Sequence, residues 1–151
     1  MPDYDPTAPN ARRYPRVITD GEIEKMPRLQ FNTGIDTAIF LSREADDCRY
    51  FRQGICYPGA EHEPYAWDQP DFDETHYVLK GKIRLRVCDV DSREVVYEAS
   101  VGEHIYLPGG YHYTLEKTGV DSAFFWTSGP SQRNGLVEIP EFSAMLKSMR
   151  K

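Results

Sequence analysis

Cysteine is scarce in this chain: Cys48, Cys56 and Cys88 are the only three, an odd number without the paired spacing of a zinc site. Their scarcity excludes a disulfide scaffold and favours reduced thiols in a cytoplasmic protein. Positive charge is also short, with 18 Lys and Arg against 24 Asp and Glu, a net charge of −6. A nucleic-acid partner needs a basic face, and the pair Arg84 and Arg86 is too little to make one. No apolar run approaches the length of a membrane span, so no membrane partner is expected. Met1-Pro2-Asp3-Tyr4-Asp5 lacks the basic and apolar regions of a secretory leader. At 151 residues the chain suits one domain with one sizeable core.

What is present is a series of short strands divided by turn residues. Residues 1–16 carry Pro2, Pro6, Pro9 and Pro15 and no apolar periodicity, and read as an extended arm. Thr19-Asp20-Gly21-Glu22 has the form of a helix start, with the helix ending near Pro27. Strands are expected at Thr37–Ser42, Arg49–Cys56, Thr75–Lys80, Lys82–Val90, Glu94–Glu98, His104–Leu107, Tyr111–Glu116 and Ser122–Thr127. Phe142, Met145, Leu146 and Met149 recur at helical spacing and predict a C-terminal amphipathic helix lying outside the barrel. The division expected is an arm with a short helix over 1–30, a β-barrel over 31–130 and a helical tail over 131–151. Closely spaced strands of this kind make an all-β sandwich or barrel.

Alternation assigns the faces. Val78 belongs to the core, so Glu74 and His76 share its inward side. Ile83, Leu85 and Val87 point in and Arg84 and Arg86 out; Ile105 and Leu107 point in and His104 and Tyr106 out. Tyr111, Tyr113 and Leu115 share one face of their strand, with His112 and Thr114 on the other. Phe124 and Trp126 share the inward face of the last strand. A site follows in which Glu74, His76 and Tyr113 carry the chemistry and Tyr111, Phe124 and Trp126 contact the ligand. An ionised carboxylate inside a barrel is costly unless it is paired, hydrogen-bonded or on a metal. The residues themselves leave blander roles open: Glu74 at a solvated rim, His76 as a core histidine paired with Glu74, Tyr113 as packing. His62 and His104 read as surface histidines, and Asp68, Asp71 and Asp73 as an exposed turn around Pro70.

Two segments carry a resemblance. Asp73-Glu74-Thr75-His76-Tyr77-Val78-Leu79-Lys80-Gly81 sets a glutamate seven residues before a strand-ending glycine. Gly102-Glu103-His104-Ile105-Tyr106-Leu107-Pro108-Gly109-Gly110 is a glycine followed after five residues by Pro-x-Gly. Together they resemble the two signatures of the cupin superfamily, the RmlC-like proteins. The resemblance implies a double-stranded β-helix barrel of jelly-roll type. Metal-binding cupins usually add His-x-His before the glutamate and a histidine after the Pro-x-Gly. Here Asp68, Pro70 and Tyr113 stand at those positions. A variant set drawn from Glu74, His76, His62, Asp68 and His112 is then expected to hold a divalent metal such as Fe, Mn, Ni or Zn. The enzyme so implied is of lyase, isomerase or oxygenase type, with Tyr113 as a candidate general base.

The segment Phe72-Asp73-Glu74-Thr75-His76-Tyr77-Val78-Leu79-Lys80-Gly81 resembles the ethanolamine-utilisation cupins, which also lack the ligand histidine after the turn. That subgroup implies a role in ethanolamine breakdown and a phosphate-transferring activity, but no glycine loop with a phosphate-binding lysine is found. The alternatives to a metal enzyme are a metal-free cupin of that kind and a non-catalytic module for a small metabolite. A homodimer is expected, with sheet edges or the arm covered by the partner.

Overall fold

The computed structural model of the chain describes residues 12–88, 91–130 and 140–150. Among these residues ten strands form two antiparallel sheets. In chain order they are β1 (Arg28–Asn32), β2 (Ile35–Leu41), β3 (Arg52–Pro58), β4 (Tyr65–Gln69), β5 (Asp73–Lys80), β6 (Lys82–Cys88), β7 (Glu94–Ser100), β8 (His104–Leu107), β9 (Tyr111–Glu116) and β10 (Ala123–Gly129). The larger sheet runs β1-β2-β3-β10-β5-β8 and the smaller β4-β9-β6-β7. Three helices accompany them: α1 (Asp20–Glu24), α2 (Arg43–Asp46) and α3 (Pro140–Ser148). Among the described residues no helix is long and apolar enough to cross a membrane.

The sheets face each other because each strand alternates. β3 buries every second residue, and β6 turns Ile83 and Leu85 inward while Arg84 and Arg86 point out. The enclosed core joins Ile35, Ile39, Val78, Leu107, Leu115, Phe124 and Trp126. Opposite Trp126 on β10 stands Gly54 on β3; a Cβ there would lie 2.6 Å from the indole ring. Gly81 makes the tight turn between β5 and β6 with φ +66°, the left-handed region that glycine enters without cost. On the outer face of the larger sheet Ile23 of α1 covers Ala38 and Phe40 as a second, smaller core.

The sequence reading placed the central strands, α1 and the start of α3 correctly. It did not find β1, β4 or α2. The strand expected from Arg49 begins at Arg52, because residues 43–51 are taken by α2 and the loop after it. Asp68 and Asp73 were expected in an exposed turn; Asp68 instead sits within β4 and Asp73 begins β5. The amphipathic C-terminal helix expected is α3. Its Phe142 and Leu146 are buried in the same core cluster as the strands, so the helix completes the core. Of the arm expected at 1–16, residues 1–11 lie outside the described residues.

α2 is a short helix with three buried acids in and beside it. Glu44 accepts two bonds from Arg52 Nη2, at 2.7 and 2.8 Å. Asp46 accepts from Arg12 at 3.0 Å and Arg16 at 2.6 Å. Asp47 takes Arg150 in a bidentate pair at 2.7 and 3.0 Å. Arginines from the arm, the barrel and the tail thus meet at one point, each matched to a carboxylate. Arg52 is fully buried on the inward face of β3, where desolvation lowers its pKa and Glu44 opposes the shift. We expect Glu44→Ala to leave that guanidinium uncompensated and to cost about 3–5 kcal/mol, read as a fall in the urea midpoint. A loss below about 1 kcal/mol would show that the pair carries little of the stability.

Candidate functional site

β5 supplies the centre. Glu74 and His76 are two residues apart, so both side chains leave the strand on the inward face, in register with Ser128 and Trp126 of β10. His76 Nε2 lies 3.0 Å from Glu74 Oε2. The histidine side chain is 4% exposed and the glutamate 14%, so the imidazole is sealed while part of the carboxylate stays reachable. His76 Nδ1 is buried and has no hydrogen-bond partner among the described residues. Its ring stacks on Phe124 with centroids 4.3 Å apart.

Facing the pair, β4 and β9 present a run of rings. Trp67 stacks between Tyr65 at 5.7 Å and Tyr113 at 5.6 Å, and Tyr113 meets Tyr111 at 6.3 Å. The Trp67 indole N–H donates to Gln69 Oε1 at 3.1 Å. Gln69 is fully buried and uses its own amide to bind the carbonyls of Phe72, at 3.0 Å, and Leu107, at 2.7 Å. The Pro108-Gly109-Gly110 turn is fastened to the same place. Gly110 N–H donates to the Gln69 carbonyl at 2.5 Å and Gly109 N–H to Asp73 Oδ1 at 2.9 Å. The two signature segments are therefore bonded to each other. Tyr113 donates its hydroxyl to the Pro108 carbonyl at 2.5 Å.

The sequence-selected residues divide into two groups. Glu74, His76, Tyr111, Tyr113, Phe124 and Trp126 all belong to strand faces that meet inside. Within that set Phe124 and Trp126 are core residues, the indole N–H of Trp126 bonding to Thr37 Oγ1 at 3.2 Å. Asp68 and His112 do not join them, and their assignment as metal ligands is corrected. They are cross-strand neighbours on the outward face, 2.7 Å apart, with side chains 83% and 50% exposed. The cause is parity: Trp67 and Gln69 occupy the inward positions of β4, and Tyr113 that of β9. His62 was read as a surface residue but is buried in the loop before β4, with Nδ1 2.8 Å from the Glu63 carbonyl. His104 is exposed, against Tyr77 at 4.5 Å. Among the described residues no group of three or more His, Cys, Asp or Glu could hold a metal ion.

Tyr65, Trp67 and Gln69 are the site residues that the sequence reading missed. Their signal was present as the alternation Tyr65-Ala66-Trp67-Asp68-Gln69, ended by Pro70, but the neighbouring aspartates made the stretch read as a turn.

The architecture is that of a cupin: two antiparallel sheets wound as a jelly-roll barrel around a glutamate-bearing strand and a Pro-x-Gly turn. Several solved structures share this fold. They include Clostridium difficile EutQ, at 20% identity and TM-score 0.52 over 68% of this chain and 66% of that one. An RmlC-like cupin from Shewanella frigidimarina aligns at 14% identity and TM-score 0.54, over 72% of this chain and 87% of that one. A B. subtilis oxalate decarboxylase aligns at 12% identity and TM-score 0.61, over 74% of this chain and 29% of that one. The chain thus spans about two thirds of EutQ and under a third of the decarboxylase. No family model matches the chain, and no curated protein does. At these identities the likeness is one of fold.

Burial raises the phenol of Tyr113, with Tyr111 and Glu74 adding to the shift, and burial also raises the thiol of Cys56, helped by Glu74. Tyr113 is therefore a neutral hydrogen-bond donor at ordinary pH, not a base in waiting. A raised acid is easier to ionise in the unfolded chain than in the folded one. The stability that both groups contribute is full below their ordinary values of 9.0 and 10.0 and falls as pH rises above them. We expect the urea midpoint to drop progressively above pH 9, and Tyr113→Phe to flatten part of that decline. An identical alkaline limb in the variant would remove Tyr113 from the account.

Proposed function

We propose that this chain is a small-molecule cupin whose ligand sits in the barrel interior against Glu74, His76 and the rings of β4 and β9, and that it works without a metal. The observation that carries the reading is the Glu74–His76 pair, at 3.0 Å on the inward face of β5 with the carboxylate still reachable. In the arrangement that fits the geometry, His76 Nε2–H donates to Glu74 and fixes its orientation. The carboxylate can then accept an N–H or O–H from a ligand, or take a proton as general base. Tyr113 supplies rigidity to the turn through Pro108. The rings of Tyr65 and Trp67 supply an apolar wall.

A metal-held lyase, isomerase or oxygenase needs more donors than the described residues of the interior offer. Of Glu74, His76, His62, Asp68 and His112, the first two are together and already bonded to each other; Asp68 and His112 face outward. The described residues do not fit a metal site. A solution test is direct. Protein purified without a histidine tag is expected to carry far less than one equivalent of Fe, Mn, Ni or Zn. Thermal-shift hits from a small-molecule library should survive EDTA and vanish in Glu74→Gln and His76→Ala. Stoichiometric metal that is lost in Glu74→Gln would overturn the metal-free reading in favour of the metal enzyme.

A homodimer and a cytoplasmic setting complete the proposal. β7 is an edge strand with an unbroken ladder to β6 on one side, and Val95, Val96 and Tyr97 are exposed along it. Open edges of this kind are usually covered. Light scattering at micromolar concentration is expected to give twice the chain mass, and Val96→Pro to return it to one chain mass. A monomeric wild type would refute the assembly while leaving the interior site untouched.

A further inference from the structure

Of the arginines that meet the acids in and beside α2, one is used differently from the rest. Arg12, Arg16 and Arg150 keep 22%, 16% and 27% of their side chains exposed, so water reaches the nitrogens their carboxylates leave over. The side chain of Arg52 is 0% exposed. Its Nη2 alone serves Glu44, at 2.7 and 2.8 Å. Nε and Nη1 are buried and have no hydrogen-bond partner among the described residues. A guanidinium has five N–H groups, and those two nitrogens carry three of them.

Leaving them bare is costly. A buried donor without an acceptor loses its desolvation energy, and a charged one loses more. Burial lowers the pKa of Arg52, Glu44 opposes only part of that, and nearby Arg43 lowers it further. The group therefore gains from another negative neighbour.

Water is a poor candidate for the missing acceptor. A buried water makes about three hydrogen bonds, so one that accepts from Arg52 must still donate its own hydrogens. The inward positions nearest Arg52 offer little to receive them. Along β3 the next is Gly54; across β10 stand Ser128 and Trp126, and on β2 Ile39 pairs with Gly54. Ile39 and Trp126 belong to the apolar core. An anion needs donors only, and its bond to a guanidinium is charge-assisted. We infer that a small inorganic monoanion of halide size is bound against Arg52, at the nitrogens that Glu44 leaves over. This site is chemically distinct from the Glu74–His76 pair and does not depend on that pair taking a ligand.

The test exchanges sodium gluconate, whose anion is too bulky for such a place, for sodium chloride or bromide at constant ionic strength. Wild-type protein is expected to melt about 2–4 °C higher in either halide, because the ion binds the folded chain and not the unfolded one. Crystals grown in bromide should show an anomalous peak at hydrogen-bonding distance from Nε or Nη1 of Arg52. The paired variant Arg52→Gln with Glu44→Gln lets the two positions bond to each other without charge, and it should lose the halide-dependent rise. If that variant does not fold, the bromide peak in the wild type decides. Ordered water at those nitrogens with no anomalous signal would overturn the inference, and so would an acceptor there from the chain itself. A wild-type melting temperature indifferent to the anion, or a rise as large in the paired variant, would do the same.

Discussion

Everything in the site depends on how two turns are fastened to one glutamine. Gln69 ends β4 with its side chain wholly buried, and its amide holds Phe72 and Leu107 while its carbonyl holds Gly110. Those bonds set where β5 begins, where β8 ends and where β9 starts. The inward position of Glu74 on the larger sheet and of Tyr113 on the smaller one follow from that. A buried side-chain amide repays its desolvation only when its hydrogen bonds are made, and here both of its ends are used. A one-residue slip in β5 or β9 would exchange the inward and outward sets, putting Thr75 and His112 where Glu74 and Tyr113 now stand.

That dependence explains what the sequence revealed and what it hid. The inward set of β5, β6 and β10 was legible because valine, isoleucine, leucine and aromatic residues alternate there with charged ones. Glu74 and His76 came with it, carried by the parity of Val78. β4 was hidden because its fully buried inward residue is a glutamine, while the apolar Ala66 faces outward. Polarity in that strand therefore does not track burial. The acid-rich α2 escaped notice for a related reason. Glu44, Asp46 and Asp47 read as solvent-facing in isolation, and only their arginines from distant parts of the chain make burial affordable. His62 was the least legible histidine: it is buried in the loop before β4, where no alternation reaches it, whereas the parity of β9 already put His112 on the face opposite Tyr113.

The fold and the chemistry of this protein thus rest on different kinds of information. The barrel is specified many times over, by strand parity, by the Gly81 turn, by the room that Gly54 leaves for Trp126, and by the paired arginines around α2. The interior site rests on few contacts: one histidine bonded to one glutamate, with a wall of rings opposite. A cupin barrel keeps its shape under wide change in its lining, so likeness of fold to EutQ and to oxalate decarboxylase says little about what the lining here recognises.

The burial of Phe142 and Leu146 has a consequence for biosynthesis. These two residues of α3 belong to the same cluster as Ile35, Ile39 and Val78, yet they follow all ten strands in the chain. As the chain leaves the ribosome, the sheets emerge while the side chains that finish their core are still unmade or enclosed in the exit tunnel. The nascent barrel then shows apolar surface for the time needed to add the residues up to and including α3, which at about 5–20 residues per second is on the order of a second or more. Closure of this fold therefore waits until α3 has followed the strands out.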